Sequence, residues 1–446
     1  MTENKKFYIE TFGCAMNLSD TELIKSLLTR SGYIQVNAPE NAHYIIINTC
    51  SIQTKMEETI DNRLQVLQFI KRSNNHIKIG LAGCYAQRLK EALYEKYNFL
   101  DFLIGPDSYK NIDKHLQKVN TGTKVTDTND TQTEAYKQYT ENYDNAGFQA
   151  LIPVTRGCNT GCSFCIVPLV RGTERHRNPN EIIKEINALV EKNYKQITLV
   201  SQAIDKYSWQ NELNFAQLLE QIAQAYPLIR IRFNISYISQ ITDQTIEVVR
   251  NYPNICNHFH IPVQSGSNRI LNLMNRGYTT EIIKERISKI RELIPECGLT
   301  TDIITGYPTE TETDHQETKD LISWAKFDNT TIYKYSERVG TPAAINTPGD
   351  ISKEIKNKRQ QELSELQKKI CIDNNKNEIN KHFKVIIENY CKQSKDHFEA
   401  HTEQNKLIIF PCEHHKIGDL VDVMVTKYTS TNLLGYISTL DKLVIE

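Results

Sequence analysis

Arg156-Gly-Cys-Asn-Thr-Gly-Cys-Ser-Phe-Cys165 decides how the chain is read. It sets Cys158, Cys162 and Cys165 in a C-x3-C-x2-C array. Thiolates this close can wrap one cluster, and three of them leave one iron of a four-iron cube without a protein ligand. An open iron can bind a small molecule. A zinc knuckle needs a fourth ligand and usually pairs two C-x2-C turns. The chain offers no partner turn. The array follows Leu151-Ile-Pro-Val-Thr, a strand-like run, so it is expected on the strand C-terminal face where β/α barrels build sites.

Working outward, five more strand-like runs follow: Ile197-Thr-Leu-Val, Arg230-Ile-Arg-Phe-Asn, His258-Phe-His-Ile, Thr301-Asp-Ile-Ile and Thr331-Ile-Tyr-Lys-Tyr. Helical patterns fill the gaps, giving about six β/α units and an open or partial barrel. The block before it alternates in the same way. Strands are expected at Phe7–Phe12, Tyr44–Ile47, Ile77–Ala82 and Phe99–Ile104, with helices over 20–32 and 57–71. That alternation argues a parallel sheet flanked by helices. Cys14, Cys50 and Cys84 each fall just past the end of one of these strands. Side chains leaving three parallel strand ends converge on one sheet edge, where open α/β folds bind ligands. Three free cysteines are otherwise commonly just buried. Three placements of the same kind point to a shared site and to a second cluster with an open iron.

The tail changes character. Val385-Ile-Ile, Leu407-Ile-Ile-Phe, Leu420-Val-Asp-Val-Met-Val and Leu433-Leu-Gly-Tyr-Ile are short strands with little helix between them. A small antiparallel barrel of the oligonucleotide-binding kind is expected. Residues 121–145, rich in Thr, Asn, Asp and Gln, read as a linker. Residues 355–380 read as an exposed amphipathic helix carrying Leu363, Leu366 and Ile370, which dissolves at Asp373-Asn-Asn-Lys-Asn.

Composition fits this plan. The chain has 446 residues, 53 Lys+Arg against 54 Asp+Glu, and a formal net charge of -1. Bulk positive charge therefore does not hold a nucleic acid, and contact must be local. Aromatic content of 9% and charged content of 24% indicate a folded chain. No apolar run approaches the roughly 18 residues of a membrane span. No secretory signal is read at the start, so a reducing cytoplasm is expected. There the 11 cysteines favour metal or redox chemistry over disulfides. Cys256, Cys297, Cys371, Cys391 and Cys412 show no ligand spacing; Cys412 with His414 and His415 reads as a surface loop, and His258 and His260 as packing residues.

The C-x3-C-x2-C array resembles that of the radical S-adenosylmethionine superfamily. With both cysteine sets, the chain resembles the methylthiotransferases of that superfamily over nearly its whole length, closest to those that modify tRNA. The segments that carry this are Glu10-Thr-Phe-Gly-Cys-Ala-Met-Asn, Asn48-Thr-Cys-Ser-Ile, Ile166-Val-Pro-Leu-Val-Arg-Gly-Thr-Glu-Arg, Ile261-Pro-Val-Gln-Ser-Gly-Ser, Met274-Asn-Arg-Gly-Tyr-Thr, Thr301-Asp-Ile-Ile-Thr-Gly-Tyr-Pro-Thr-Glu-Thr and Tyr335-Ser-Glu-Arg-Val-Gly-Thr-Pro-Ala-Ala.

The resemblance implies an α/β chain in three parts: an amino-terminal flavodoxin-like parallel-sheet domain (residues 1–120), a linker (121–147), a central partial (β/α)6 radical domain (148–375), and a small antiparallel TRAM-type barrel (378–446) that is OB-like and binds RNA. It implies two [4Fe-4S] clusters, on Cys14, Cys50 and Cys84 and on the catalytic Cys158, Cys162 and Cys165. S-adenosylmethionine would chelate the open iron of the latter and yield a 5′-deoxyadenosyl radical. Phe164, Gln202, Gln264 and Gly306 would line its pocket. The other cluster would carry or receive sulfur. One S-adenosylmethionine methylates that sulfur, and another removes hydrogen from carbon 2 of N6-isopentenyladenosine beside the anticodon. Chemistry agrees, because an aromatic C–H has no useful acidity for a general base. Implied partners are a tRNA anticodon stem-loop and a flavodoxin- or ferredoxin-type electron donor, with the chain a monomer off the membrane.

Some residues depart from that family's pattern. Leu199-Val-Ser-Gln-Ala-Ile-Asp stands where Leu-Gly-Gln-Asn-Val-Asn is usual, and Pro308-Thr-Glu where Pro-Gly-Glu is usual. No arginine occurs from Glu378 to Glu446. Arg171, Arg175, Arg177, Arg269 and Arg276 are then the candidates for RNA contact, for holding S-adenosylmethionine, or for pairing with acids. Competing readings are methylthiolation of a threonylcarbamoyl-modified adenosine or a ribosomal-protein aspartate, an iron–sulfur electron carrier or redox sensor, and an impaired tRNA-binding relative.

Overall fold

The computed structural model describes residues 5–51, 54–129, 136, 147–347 and 349–438. Six parallel strands open the chain: β1 (Lys6–Phe12), β2 (Ile34–Gln35), β3 (Tyr44–Thr49), β4 (Lys78–Gly83), β5 (Phe102–Ile104) and β6 (Val125–Asp127), in the order β2-β1-β3-β4-β5-β6. The first five follow the flavodoxin order, with the switch point between β1 and β3. Every residue of β3 is buried, as a strand covered on both faces requires. Two apolar layers, one with Leu23 and Leu28 and one with Leu64 and Leu67, cover the two faces.

β6 lies inside the segment read as linker. Val125 is buried, and Asp127 pairs with His115 Nε2 at 2.7 Å and accepts from Ser108 Oγ at 2.7 Å. Short-range polarity hid an edge strand whose partners sit in the preceding helix and turn. The first domain therefore runs past residue 120; most of 128–147 lies outside the described residues.

The central part holds β7 (Gln149–Pro153), the short pair β8 (Thr155–Arg156) and β9 (Arg175–His176), β10 (Gln196–Val200), the short pair β11 (Ser208–Trp209) and β12 (Leu213–Asn214), β13 (Arg230–Phe233), β14 (His258–His260), β15 (Gly298–Thr305) and β16 (Asn329–Lys334). The six barrel strands fall into two parallel sheets, β13-β10-β7 and β14-β15-β16. A parallel bridge, Ile231 to Ile255, ties the end of the first to the approach of the second. One apolar core fills both.

The helix Lys353–Lys376 corrects the reading of an exposed segment that dissolves at Asp373. Leu363 is fully buried, and Gln367 Oε1 accepts from Thr330 Oγ1 of β16 at 2.6 Å. The Asn-rich end stays helical because its side chains are used: Asn374 Nδ2 donates to Lys326 O at 3.0 Å and Asn375 Nδ2 to Thr429 O at 3.0 Å. The helix is thus an outer wall of the central domain and a bridge to the tail.

The tail is a six-stranded sheet: β17 (His382–Ile386), β18 (Asn389–Cys391), β19 (Ser394–His401), β20 (Leu407–Pro411), β21 (Leu420–Tyr428) and β22 (Asn432–Ile437), ordered β17-β21-β22-β20-β19-β18. All its pairs are antiparallel except β20 with β22. It docks on the N-terminal ends of the central strands. Lys195 Nζ donates to Gly418 O at 2.7 Å, and Arg230 Nη2 to Lys384 O at 2.7 Å. Gly298 opens β15 so close to Gln404 that a Cβ there would stand 2.2 Å from its carbonyl oxygen.

The first domain meets the opposite, C-terminal, end. Asp20 is wholly buried; its Oδ1 accepts from Arg156 Nη1 at 2.7 Å, and its Oδ2 lies 2.9 Å from Arg171 Nη2. Arg175 pairs with Asp107 at 2.5 Å, and Arg338 with Glu57 at 2.9 Å. Breaking a buried pair strands a charge, so Asp20→Ala is expected to cost about 3–5 kcal/mol in urea unfolding. Asp243→Ala, which opens the exposed pair with Arg286, should cost under about 1 kcal/mol. Equal losses would show that Asp20 contributes no more than a surface pair.

Candidate metal centres

Cys14 caps the helix Ala15–Arg30, Cys50 follows β3, and Cys84 starts the helix Cys84–Leu89 after β4. Two asparagines clamp the first two loops together. Asn17 Oδ1 accepts from Cys14 Sγ at 3.3 Å, while its Nδ2 donates to Asn48 Oδ1 at 3.3 Å and Thr49 O at 3.1 Å. Asn48 Nδ2 returns a bond to Asn17 O at 2.8 Å. Gly83 has φ +92°, and a Cβ there would lie 2.5 Å from Thr49 O, so glycine is required for the turn that presents Cys84. A hydrogen bond with Cys50 pulls the Cys14 thiol down to about 6; desolvation around the sulfur opposes this, although the residue as a whole is exposed, and the charge of Arg171 assists. Burial pushes the Cys84 thiol up, and Arg171 Nε donates to its Sγ at 3.2 Å.

The central cysteines sit on a loop braced at each step. Gly157 has φ +74° and would carry a Cβ 2.0 Å from Thr173 O. Its N–H donates to Gln202 Oε1 at 2.8 Å, and Cys158 N to Gly172 O at 3.2 Å. Asn275 Nδ2 donates to Gly161 O at 2.8 Å, and Ser163 Oγ to Leu273 O at 2.7 Å. Burial raises the Cys158 thiol and pushes that of Cys165 up to about 12. Arg276 Nη1 donates to Cys162 Sγ at 3.0 Å.

The donor sets fit thiolate-bound clusters. A tetrahedral zinc with Zn–S bonds of about 2.3 Å holds its sulfurs roughly 3.8 Å apart. In neither triad do all three sulfurs lie within 4.8 Å of one another. Three thiolates per site are the donor set of a four-iron cube in which each thiolate takes a different iron and one iron stays open. Each triad also receives a guanidinium N–H on one sulfur, from Arg171 at Cys84 and from Arg276 at Cys162. Among the described residues the one compact ligand group is Glu312, His315 and Glu362, and Lys319, Lys358 and Arg359 already neutralise its acids. Cys412 with His414 and His415 forms no such group.

The remaining expected pocket residues are partly brought together. Phe164 packs half-buried against Met274, Tyr307 and Tyr335. Gln202 holds the cysteine loop through Gly157. Gln264, at φ +74°, bridges Ile303 of β15, and its Oε1 is buried without a partner among the described residues. Gly306, at φ +71°, donates its N–H to Glu310 Oε2 at 2.7 Å and is pressed by Lys356. Asp205 sits at the departed position. Its Oδ1 accepts from Ser236 N at 2.8 Å, its Oδ2 is buried without a partner, and burial raises it to about 6. Thr309, where the pattern has glycine, has φ +66°, a conformation unusual for a β-branched residue.

The five arginines considered for RNA all have partners within the chain, four of them buried or half-buried and Arg269 exposed. Arg171 holds Asp20 and Cys84, Arg175 holds Asp107, and Arg177 is buried against Glu185 at 2.7 Å. Arg269 pairs with Asp314, and Arg276 holds Cys162. Their partners lie up to 151 positions away for Arg171 and Asp20, so no local pattern announced them. His258 and His260 both bond Thr300 Oγ1, at 2.9 and 3.0 Å, as packing residues.

Comparison with known proteins agrees with this geometry. Residues 152–322 match the model of the Radical SAM superfamily, and residues 6–105 match Uncharacterized protein family UPF0004. The chain is 38% identical over 439 residues to the tRNA-2-methylthio-N(6)-dimethylallyladenosine synthase of Phocaeicola vulgatus, covering 97% of this chain and 96% of that one. It is 39% identical over 438 residues to the Bacteroides fragilis synthase of the same name, with the same coverage. A solved structure of the radical S-adenosylmethionine methyltransferase TsrM from Kitasatospora setae, with cobalamin and a [4Fe-4S] cluster bound, shares the fold at TM-score 0.57 and 12% identity, covering 77% of each chain. No described helix is long and apolar enough to cross a membrane. Two cysteine triads at facing strand ends, with near-full-length identity of 38–39% to such synthases, place this chain in the tRNA-2-methylthio-N(6)-dimethylallyladenosine synthase family of the Radical SAM superfamily.

Proposed function

We propose that this chain methylthiolates carbon 2 of N6-isopentenyladenosine beside the anticodon of tRNA, in the cytoplasm and as a monomer. The observation that carries this reading is the closeness of the two triads. The helix Val167–Arg171 links them: it follows Cys165, its Val170 and the preceding Ile166 pack on Cys84, and its Arg171 bonds the Cys84 sulfur. One chain thus holds both chemistries within reach of one base.

Cys158, Cys162 and Cys165 would hold one [4Fe-4S] cluster, the one that takes S-adenosylmethionine, and Cys14, Cys50 and Cys84 would hold the other. When bound, these groups supply the hydrogen-abstracting radical, the sulfur and the methyl group. The protein's part is placement. Asn17 and Asn48 fix the loops of Cys14 and Cys50, Gln202 and Asn275 fix the central loop, and the Asp20 pair fixes one domain on the other. Gln264 and Asp205 offer unpartnered acceptors to the polar groups of S-adenosylmethionine. A flavodoxin- or ferredoxin-type protein delivers the electron. The tRNA meets the cleft through an anticodon loop, where an unstacked base can be splayed into a pocket.

Iron content tests the two-site arrangement. Anaerobically reconstituted protein should bind about eight irons, four per cube. Replacing Cys158, Cys162 and Cys165 together by Ala should leave about half, and loss of all or none would remove the two-site reading.

The triads should also divide the labour. Under a strong reductant, the Cys158→Ala protein is expected not to cleave S-adenosylmethionine. The Cys50→Ala protein should cleave it yet insert no sulfur. If Cys50→Ala abolished cleavage while the central cluster stayed loaded, the roles given to the triads would be wrong.

Substrate choice is checked with anticodon stem-loops. Burying the isopentenyl group adds a few CH₂-sized units, each worth roughly 0.8 kcal/mol. Isopentenyl stem-loops should therefore react and unmodified ones poorly. Preference for a threonylcarbamoyl stem-loop under the same conditions would reassign the substrate. Mass spectrometry of tRNA nucleosides from a strain lacking this protein should show loss of the 2-methylthio derivative.

A further inference from the structure

Arg276 is 4% exposed and lies 114 positions from the cysteine it touches. All three guanidinium nitrogens are engaged. Nη1 donates to Cys162 Sγ at 3.0 Å, Nε to Tyr278 Oη at 2.8 Å, and Nη2 to Pro262 O at 2.9 Å and Ser236 O at 3.1 Å. Its plane is further confined by the rings of Tyr237 and Tyr278, 4.7 and 5.2 Å away. No carboxylate lies within ion-pair distance of it among the described residues. Arg171 on Cys84 differs, because its charge is shared with Asp20 at 2.9 Å.

We infer that Arg276 is a positioning residue that sets the reduction potential of the cluster on Cys158, Cys162 and Cys165, making it easier to reduce by one electron. The inference rests on the cluster assignment proposed above. A four-iron cube with three thiolates carries net negative charge, and the incoming electron makes it more negative. No bond is made or broken in that step; the electron comes from an external one-electron donor of the flavodoxin or ferredoxin class. A fixed cation with an N–H on sulfur stabilises the reduced form more than the oxidised one. Burial magnifies the difference, because little water screens it. Three carbonyl or hydroxyl acceptors aim the guanidinium but do not neutralise it, and the buried Asp205 carboxylate acts on it only from beyond ion-pair distance.

The test uses the full chain with Cys14, Cys50 and Cys84 changed to Ala, so that one cluster remains, poised at graded potentials with dithionite and read by EPR. R276Q is expected to lower the reduced-to-oxidised ratio at fixed potential about tenfold, equivalent to ~59 mV for one electron. R276K, which keeps the charge but offers one nitrogen, should lower it two- to fivefold. A purely structural arginine would instead reduce the iron bound without moving the ratio in the clusters that form, and that result would overturn the inference. Should R276Q hold no iron, R276K decides: an unshifted ratio in it overturns the inference as well. If the parent protein itself bound no iron, the cluster assignment would fall and this inference with it. An unmoved potential with full iron removes the inference alone.

Discussion

Asp20 is the constraint on which the site depends. It lies on the helix that Cys14 begins, and it is bound by Arg156, two residues before Cys158, and by Arg171, six residues after Cys165. One carboxylate thus touches the start of one cysteine loop and both ends of another. Arg171 extends the chain of contacts to Cys84. A buried ion pair of this kind is weak evidence for stability, since desolvation offsets much of the attraction. Its value here is geometric: hydrogen-bonded charges accept few alternative arrangements, so the domains meet in one register.

The remaining interface follows from that register. Arg175 with Asp107 and Arg338 with Glu57 lie to either side of the Asp20 pair, and Glu57 is shared with Arg88 at 2.7 Å. The tail sheet uses the other end of the barrel, where Lys195, Arg230 and Arg232 donate to its carbonyls. Those cations are consumed in docking and are not presented to a phosphate backbone. With no arginine of its own past Glu378, the tail has only lysines and histidines as cations, which cannot fork onto phosphates.

How much of this was legible follows from the range of each signal. Cys14, Cys50 and Cys84 fall just past strand ends as read, because short apolar runs mark buried parallel strands and each cysteine stands just past one; strand ends are local information. The C-x3-C-x2-C loop was local too. β6 and the Asn-rich end of the helix Lys353–Lys376 were missed because their stabilising partners are remote: Asp127 needs His115, and Asn375 needs Thr429. The arginines show the same limit. In the sequence they are candidates for RNA, for S-adenosylmethionine or for acids, and the structure pairs each with an acid or a sulfur elsewhere in the chain, Arg269 from an exposed position. Asn17 and Asn48 lay inside quoted segments, yet their clamp appears only when β1 and β3 are neighbours.

The buried charges also say which chemical state of sulfur the fold is built for. Burial alone raises the thiols of Cys84, Cys158 and Cys165, favouring the neutral, metal-free form. A neutral Cys162 beside Arg276 would leave the buried guanidinium with no anion in direct contact, Asp205 acting on it only from beyond ion-pair distance, an arrangement costly in an interior. A thiolate there removes that imbalance, and so does a negatively charged cluster ligated by it. Around Cys84 the same argument is weaker, because Asp20 already answers Arg171. Desolvation and the guanidiniums thus act in opposite directions on the same triads. A cluster held as proposed would resolve the conflict: metal would take the protons' place on buried sulfur, and the cluster's negative charge would face the Arg276 guanidinium.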